Sequence, residues 1–201
     1  MMEDYVIVFD ADGVALQKSC FADCLISDYG ITREMTRPFF QSAFAACQLG
    51  DADLKQELLP FLESWDWGSS VDEFVDYWLK CDSKTNDELL NYISQLKNLQ
   101  INCYLASNQE NYRATYLKTY LNLDELFDKI FYSSQIGSRK PDKVFFKKIT
   151  DELKVDVNRI IFFDDSLEIV EASKDFGWKG EHYRDIAQFK STLKSYEIEI
   201  G

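Results

Sequence analysis

Residues 6–14, with the sequence VIVFDADGV, decide the fold of this 201-residue chain. The apolar run at their start is rich in β-branched types, which predicts a buried strand. Asp10 and Asp12 follow at its carboxyl end, where open α/β sheets place their ligand sites. Two carboxylates this close repel each other unless a cation lies between them, and a divalent metal is the natural candidate. Alone, the pair equally fits a strand end or the cap of a turn.

The composition is that of a folded, acidic protein. The chain is 46% hydrophobic and 15% aromatic, which suffices for a sizeable core. Its 35 acidic and 22 basic residues give a formal net charge of −13, which argues against nucleic acid or a membrane surface as a partner. The sequence has no apolar run of about 18 residues that predicts a membrane span. Five cysteines and a single histidine favour reduced thiols in a cytoplasmic protein over a zinc site or a disulfide framework.

The pattern along the chain predicts an α/β sheet domain that is interrupted after its first strand. Residues 15–87 lack strong strand signals, and their apolar residues recur at helical spacing. Strands and helices then alternate, which implies parallel pairing with right-handed crossovers. The pattern predicts helices at residues 86–99, 111–121, 141–153 and 167–176, and strands at residues 101–106, 129–132 and 160–163.

Two further segments carry polar residues that suit phosphate chemistry. Ser107 and Asn108 follow a predicted strand, where a hydroxyl and the next backbone N–H groups can hold a phosphate oxygen. Lys140 lies in a loop before a helix that Pro141 can start, and its ammonium can screen a carboxylate and a phosphate together. Each segment alone equally fits an ordinary helix cap or a solvated lysine.

A last segment repeats the arrangement of the first. The apolar strand at residues 160–163 ends in Asp164 and Asp165. By themselves these carboxylates fit a turn or a helix N-cap. Together with Asp10 and Asp12 they complete a group suited to Mg²⁺, which proteins hold with a few carboxylates plus substrate phosphate and water.

In this order and spacing, the segments resemble the haloacid dehalogenase superfamily of phosphotransferases. The matching residues are Asp10 and Asp12 for its first motif, Ser107 for the second, Lys140 for the third, and Asp164 with Asp165 for the fourth. The resemblance implies a Rossmann-like three-layer α/β/α core with a parallel sheet, formed by residues 1–13 and 88–201, and an inserted all-helical cap of residues 14–87. Residues 127–177 are further similar to small-sugar-phosphate phosphatases such as bacterial glucose 1-phosphate phosphatases.

The resemblance also implies catalytic roles. Asp10 would attack phosphorus and form an aspartyl-phosphate, while Mg²⁺ and Lys140 offset the negative charge. Asp12 would protonate the leaving alkoxide and then deprotonate the attacking water. Dehalogenase relatives lack an aspartate at the position of Asp12, so this residue favours phosphoryl transfer over carbon–halogen cleavage.

The same resemblance implies how the metal and the phosphate are held. Asp12 would reach Mg²⁺ through its backbone carbonyl, beside the side chain of Asp10. Asp164 and Asp165 would complete the metal shell, directly or through water. Ser107 and the amide of Asn108 would bind a transferring oxygen.

We therefore expect a Mg²⁺-dependent phosphatase that acts on a small phosphorylated metabolite, with sugar phosphates as candidates. Two alternatives stay open: a phosphomutase of the same fold, and a non-catalytic regulatory binding protein. Loss of Asp10 or Asp12 would mark the binding protein, and both residues are present. The sequence leaves the substrate and the oligomeric state open.

Overall fold

The structure is a computed structural model that describes residues 5–200. Its centre is a parallel sheet in the order β3-β2-β1-β4-β5. The strands are β1 (Val6–Phe9), β2 (Cys103–Ser107), β3 (Lys129–Tyr132), β4 (Ile160–Asp164) and β5 (Lys179–His182). In β1, Ile7 pairs with Cys103 on one side and with Ile161 on the other. Because every strand runs the same way, all carboxyl ends lie at one edge of the sheet.

Helices form the connections between the strands and cover both faces of the sheet. Those between β1 and β2 are α1 (Phe21–Tyr29), α2 (Arg33–Gln41), α3 (Ala43–Leu49), α4 (Leu54–Ser64), α5 (Val71–Cys81) and α6 (Asp87–Asn98). Those after β2 are α7 (Asn111–Thr119), α8 (Leu123–Leu126), α9 (Ser133–Ile136), α10 (Lys143–Leu153), α11 (Leu167–Phe176) and α12 (Ile186–Ser195), with a short 3₁₀ turn at Val157–Arg159.

The alternation of side chains along β1 builds two cores. Ile7 and Phe9 share one cluster with apolar residues of α6, α7 and α12, and Phe9 packs against Phe189 with ring centroids 5.8 Å apart. Val6 and Val8 point into the opposite cluster, with apolar residues of α10. Burying each large apolar side chain contributes roughly 1.5–3 kcal/mol. The predicted three-layer α/β/α arrangement is confirmed.

The helices α1–α5 form an insert with a hydrophobic core of its own. Phe39 is fully buried there, and Phe21 stacks on Trp78 with ring centroids 4.8 Å apart. The prediction of an all-helical insert after the first strand is confirmed. The division into a core of residues 1–13 and 88–201 and a cap of residues 14–87 stays a prediction, and residues 1–4 and 201 lie outside the described part.

Element boundaries differ from the predictions at a few places. The helix expected to begin at Pro141 begins at Lys143, because the side chain of Asp142 caps it and accepts a hydrogen bond from the amide of Val144 at 2.9 Å. The edge strand β5 has the sequence KGEH, whose polar residues gave no strand signal. Across residues 5–200, no helix combines the length and apolar character that crossing a bilayer requires.

Candidate active site

The carboxyl edge of the sheet brings the predicted site residues together. Asp10 directly follows β1, and its amide donates a hydrogen bond to the carbonyl of Phe163 at 2.9 Å. Ser107 is the last residue of β2, and Asp164 is the last residue of β4. Lys140 reaches the same place from the loop between α9 and α10.

Lys140 lies between two carboxylates in the interior of the protein. Its Nζ atom is 2.8 Å from Oδ1 of Asp10 and 2.6 Å from Oδ2 of Asp164. Only 3% of the residue is exposed, so its charge depends on these partners for compensation. Burial alone lowers the pKa of Lys140, but the attraction of Asp10 and Asp164 outweighs it and raises the pKa above the ordinary value. The two carboxylates thus favour the charged ammonium form of Lys140.

Burial and neighbouring charges together shift the pKa of Asp10. The pKa of Asp10 is raised from 3.8 to about 7, mainly by burial; Lys140 opposes this rise, and Asp164 and Asp12 contribute to it. Its Oδ1 also accepts a hydrogen bond from the amide of Ala11 at 2.7 Å. A second cation beside Lys140 would stabilise the ionised form.

Three carboxylates converge on a place where a cation can sit. Oxygen atoms of Asp10, Asp164 and Asp165 all lie within 4.8 Å of one another. An all-oxygen set of carboxylates suits a hard divalent cation such as Mg²⁺ or Ca²⁺. Lys18, 79% exposed at its side chain, adds an ion pair to Asp165 at 3.2 Å. The residues present therefore fit a magnesium site.

Gly13 makes room for this cluster. Its φ of +79° lies in the left-handed region, which glycine adopts without steric cost. A Cβ atom at this position would lie 2.6 Å from Cγ of Asp165 and closer still to Oδ2. The residue after Asp12 must therefore be glycine if Asp165 is to reach Asp10.

The carboxylate of Asp12 points away from the cluster. Its Oδ2 accepts a hydrogen bond from Nε2 of Gln109 at 2.6 Å, and its Oδ1 accepts one from a terminal nitrogen of Arg113 at 2.6 Å. The side chain of Asp12 is 39% exposed, so solvent reaches it. Sequence reasoning missed Gln109 and Arg113. The one available signal was their place in the first residues after β2, at the same sheet edge as Ser107.

Ser107 and Asn108 lie beside these groups and have different hydrogen-bond partners. The hydroxyl of Ser107 is buried and accepts a hydrogen bond from Nε2 of Gln109 at 3.1 Å. The side chain of Asn108 binds the backbone of Lys140 and is thereby committed to the protein. Because its side chain is engaged in these hydrogen bonds, the backbone amide of Asn108 is the group predicted to contact phosphate.

The helical insert touches the site through α3. Nε2 of Gln48 donates to the carbonyl of Asn108 at 3.2 Å, and Oε1 of Gln48 accepts from Arg139 at 2.9 Å. Gly50, at the end of α3, lies so close to Ser134 that a Cβ atom would overlap the Ser134 carbonyl. Side chains of the insert therefore lie directly beside the loop that carries Lys140.

A family model described as haloacid dehalogenase-like hydrolase matches residues 6–177. The chain belongs to this family. The predicted resemblance to the superfamily is thereby confirmed, and the protein is a haloacid dehalogenase-like hydrolase. The similarity to glucose 1-phosphate phosphatases stays a prediction.

Two curated relatives match part of the chain. A sesquiterpene phosphatase of Aspergillus oryzae is 39% identical over 61 residues, which is 30% of this chain and 31% of the relative. A drimenol cyclase of Aspergillus calidoustus is 36% identical over 69 residues, which is 33% of this chain and 13% of the relative. The matches thus span a third or less of the length of these relatives.

Solved structures share the fold over nearly the whole chain. A haloacid dehalogenase-like family hydrolase of Porphyromonas gingivalis has a TM-score of 0.81 at 19% identity and covers 100% of both chains. A haloacid dehalogenase family enzyme of Bacteroides thetaiotaomicron, solved with magnesium and inorganic phosphate, has a TM-score of 0.77 at 16% identity. That alignment covers 92% of this chain and 98% of the other.

Proposed function

We propose that this hydrolase is a Mg²⁺-dependent phosphatase that acts on a small phosphorylated metabolite. The observation that carries the proposal is the buried ammonium of Lys140 between Asp10 and Asp164, next to the three-carboxylate cluster. An anionic nucleophile can approach a phosphate dianion only where positive charge offsets the repulsion. Membership of the family and a structural neighbour solved with magnesium and inorganic phosphate support the same chemistry.

Asp10 is the nucleophile of the proposed reaction. Its Oδ2 is the carboxylate oxygen not bound by Lys140 or by the amide of Ala11, whose hydrogen bonds both go to Oδ1. Oδ2 attacks phosphorus, the bond to the leaving oxygen breaks, and an aspartyl-phosphate forms. Water then attacks this phosphorus and regenerates the carboxylate. Lys140 stays charged throughout and stabilises the additional negative charge of the transferring group.

The metal site is part of the proposal. The side chains of Asp10, Asp164 and Asp165, with the backbone carbonyl of Asp12, would hold Mg²⁺. When bound, Mg²⁺ neutralises charge on the phosphoryl oxygens and helps to orient the group for in-line displacement. We expect Ca²⁺ to inhibit, because it takes about six to eight ligands at longer distances and can engage both oxygens of the nucleophile.

Asp12 is the proton donor and acceptor of the proposed reaction. Its carboxyl protonates the leaving oxygen in the first step and takes a proton from water in the second. Its partly exposed position, turned away from the metal cluster, supports this role. Ser107 and the amide of Asn108 bind a transferring oxygen.

The helical insert serves as a cap that recognises the leaving group. The contacts of Gln48 with Asn108 and Arg139 support this role, because they place α3 against the catalytic loops. Sugar phosphates are one proposed substrate class. The partial match to a sesquiterpene phosphatase supports terpenoid phosphates as another. A cytoplasmic location stays a prediction.

Hydrolysis of p-nitrophenyl phosphate by the purified protein, with Mg²⁺ and with EDTA, tests the reaction. We expect turnover that needs Mg²⁺, falls when Ca²⁺ is added, and disappears in Asp10→Asn. The matched control is Asp151→Asn, which alters an exposed aspartate of α10 that forms an ion pair with Lys147. Full activity after exhaustive chelation, or substantial single-turnover hydrolysis by Asp10→Asn, would contradict the assignment. Phosphate binding with no turnover would instead favour a regulatory binding protein.

A panel of phosphorylated sugars, terpenoid phosphates, nucleotides and organic acids then identifies the substrate class. Each compound is followed by release of inorganic phosphate and by analysis of the organic product. Hydrolysis yields free phosphate together with the dephosphorylated compound. Formation of a phosphate isomer without free phosphate would favour the phosphomutase alternative.

A further inference from the structure

We infer that Arg113, together with Gln109, is a positioning residue that keeps the carboxylate of Asp12 out of the metal cluster and fastens it to the base of the helical insert. The inference rests on the proposed function for the role of Asp12. Its geometric part, the position of that carboxylate relative to the metal site, can be tested without turnover.

The two donors hold both oxygens of one carboxylate. Arg113 is 2.6 Å from Oδ1 of Asp12, and Gln109 is 2.6 Å from Oδ2. Both donors are themselves buried, with 6% of Arg113 and 3% of Gln109 exposed. A buried guanidinium is costly to move away from its counter-charge, so this pairing fixes the direction of the Asp12 side chain.

This restraint matters because Asp12 lies only two residues from Asp10. A free carboxylate beside a site for Mg²⁺ is attracted to the cation and can become an additional ligand. A carboxylate that binds the metal cannot at the same time exchange a proton with the leaving oxygen. The pairing with Arg113 and Gln109 therefore separates the proton-transfer group from the metal-binding groups.

Arg113 also ties Asp12 to the connections of the insert. The nitrogen that binds Asp12 donates a second hydrogen bond to the carbonyl of Asp82 at 3.0 Å. The carboxylate of Asp82 in turn accepts from the amides of Cys20 and Phe21, at 2.9 and 3.0 Å, and from the indole of Trp78 at 3.1 Å. The start of α1 and the end of α5 thus meet at Asp82. The carbonyl of Asp82 in turn accepts a hydrogen bond from Arg113, the residue that orients Asp12.

Introducing Arg113→Ala both into the wild type, which has Asp12, and into Asp12→Asn tests the position of the Asp12 carboxylate. Binding of Mg²⁺ alone is measured by calorimetry. We expect Arg113→Ala to tighten Mg²⁺ binding about fivefold more in the Asp12 background than in the Asp12→Asn background, or roughly 1 kcal/mol of coupling. The lost guanidinium charge acts in both backgrounds, so the difference reports the freed carboxylate. Equal changes in the two backgrounds would overturn the inference.

Wild type, Arg113→Ala, Asp12→Asn and the double variant also test the catalytic consequence. Single-turnover hydrolysis of an alkyl phosphate needs the proton from Asp12. We expect Arg113→Ala to slow it about tenfold when Asp12 is present and less than about twofold in Asp12→Asn, because residues that act as a unit are not additive. Arg113→Lys should recover part of the rate by restoring one charged donor. Equal losses in both backgrounds would mean that Arg113 supports only the fold.

Controls separate the possible failures. Arg159→Ala, which removes an exposed arginine paired with Asp156, should change neither readout. If Arg113→Ala does not fold, Gln109→Leu frees the other oxygen of Asp12 and takes its place in both experiments. If wild-type protein lacks turnover, the proposed function fails, whereas the calorimetric difference still decides the position of Asp12.

Discussion

The side chain of Asn108 forms two hydrogen bonds with the backbone of Lys140. Its Oδ1 accepts a hydrogen bond from the amide of Lys140 at 2.8 Å, and its Nδ2 donates to the carbonyl of Lys140 at 2.9 Å. Asn108 therefore sets where the loop presents the ammonium, although it does not touch that ammonium itself. Asn108, which follows Ser107, thus contributes to the placement of the Lys140 charge through the backbone.

We expect Asn108→Ala to lower the turnover rate by up to about 100-fold, because a small misplacement of Lys140 weakens the interactions of the transition state. Stability should fall by about 1–3 kcal/mol through the two unpaired backbone groups. Asn108→Asp should recover only part, since its carboxylate can accept from the amide but cannot donate to the carbonyl. Steady-state kinetics and thermal unfolding check this, with the exposed Asn91→Ala as control. Unchanged kinetics in Asn108→Ala would refute the role.

Gly13→Ala should weaken metal binding more than it weakens the fold. The added Cβ atom would overlap Asp165 and push its carboxylate away from Asp10 and Asp164. Gly30→Ala is a matched control, because its φ of +71° imposes the same left-handed strain with no neighbour within 4 Å. Both substitutions should cost about 1–2 kcal/mol of stability. Only Gly13→Ala should lower Mg²⁺ affinity, measured by calorimetry, and equal affinities in the two variants would exclude this steric effect.

Glu110 should make the protein less stable as the pH rises. Its carboxylate caps α7, and burial raises its pKa above 4.5, although the amides of Arg113 and Tyr112 oppose this. Because the folded pKa exceeds the unfolded one, the folded chain binds more protons just above pH 4.5, and the free energy of unfolding falls as the pH rises through the folded pKa. Glu110→Gln lacks this dependence.

Thermal unfolding of wild type and Glu110→Gln between pH 4 and pH 7 measures the effect. Wild type should lose stability relative to the variant as the pH rises. Glu168→Gln, at an exposed position of α11, serves as the control and should track wild type. A constant difference between wild type and Glu110→Gln, or a gain for wild type at higher pH, would contradict the effect of burial.

Much of the candidate site could be predicted from sequence because its residues lie at the carboxyl ends of apolar strands. In a parallel sheet every such position lies at the same edge, so Asp10, Ser107 and Asp164 had to meet once the strands were recognised. Gln109 and Arg113 could not be found in this way. Their partner Asp12 is about 100 residues away in sequence, and only the folded chain shows that both point toward it.

One strand was not predicted and one helix start was misplaced, because the local sequence signals there were weak or competing. The strand β5 has no apolar run, because it is an edge strand whose residues are mostly half-buried. Pro141 is compatible with the first turn of a helix, but Asp142 supplies a capping carboxylate and moves the start of α10 to Lys143. Tertiary pairing and cap strength decided these boundaries, and neither follows from residue preferences alone.

The helical insert should close over the site when phosphate is bound. Its attachments are at Asp82, which holds both connections, and at Gln48, which bridges Asn108 and Arg139. A hinge at the connections would move Gln48 on and off the catalytic loops, and closure would exclude water and strengthen the electrostatic contacts inside.

Hydrogen exchange with and without beryllium fluoride plus Mg²⁺ tests this movement. We expect slower exchange at residues 14–21 and 82–87 and along α3 when the phosphate mimic is bound. Gln48→Ala should lose much of this protection and raise KM more than it lowers kcat, because it weakens the closed state and leaves the catalytic groups in place. Gln95→Ala, at an exposed position of α6 outside the site, should behave as wild type. Unchanged exchange throughout the insert would mean that it does not close, and substrate choice would then have to come from the loops of the core.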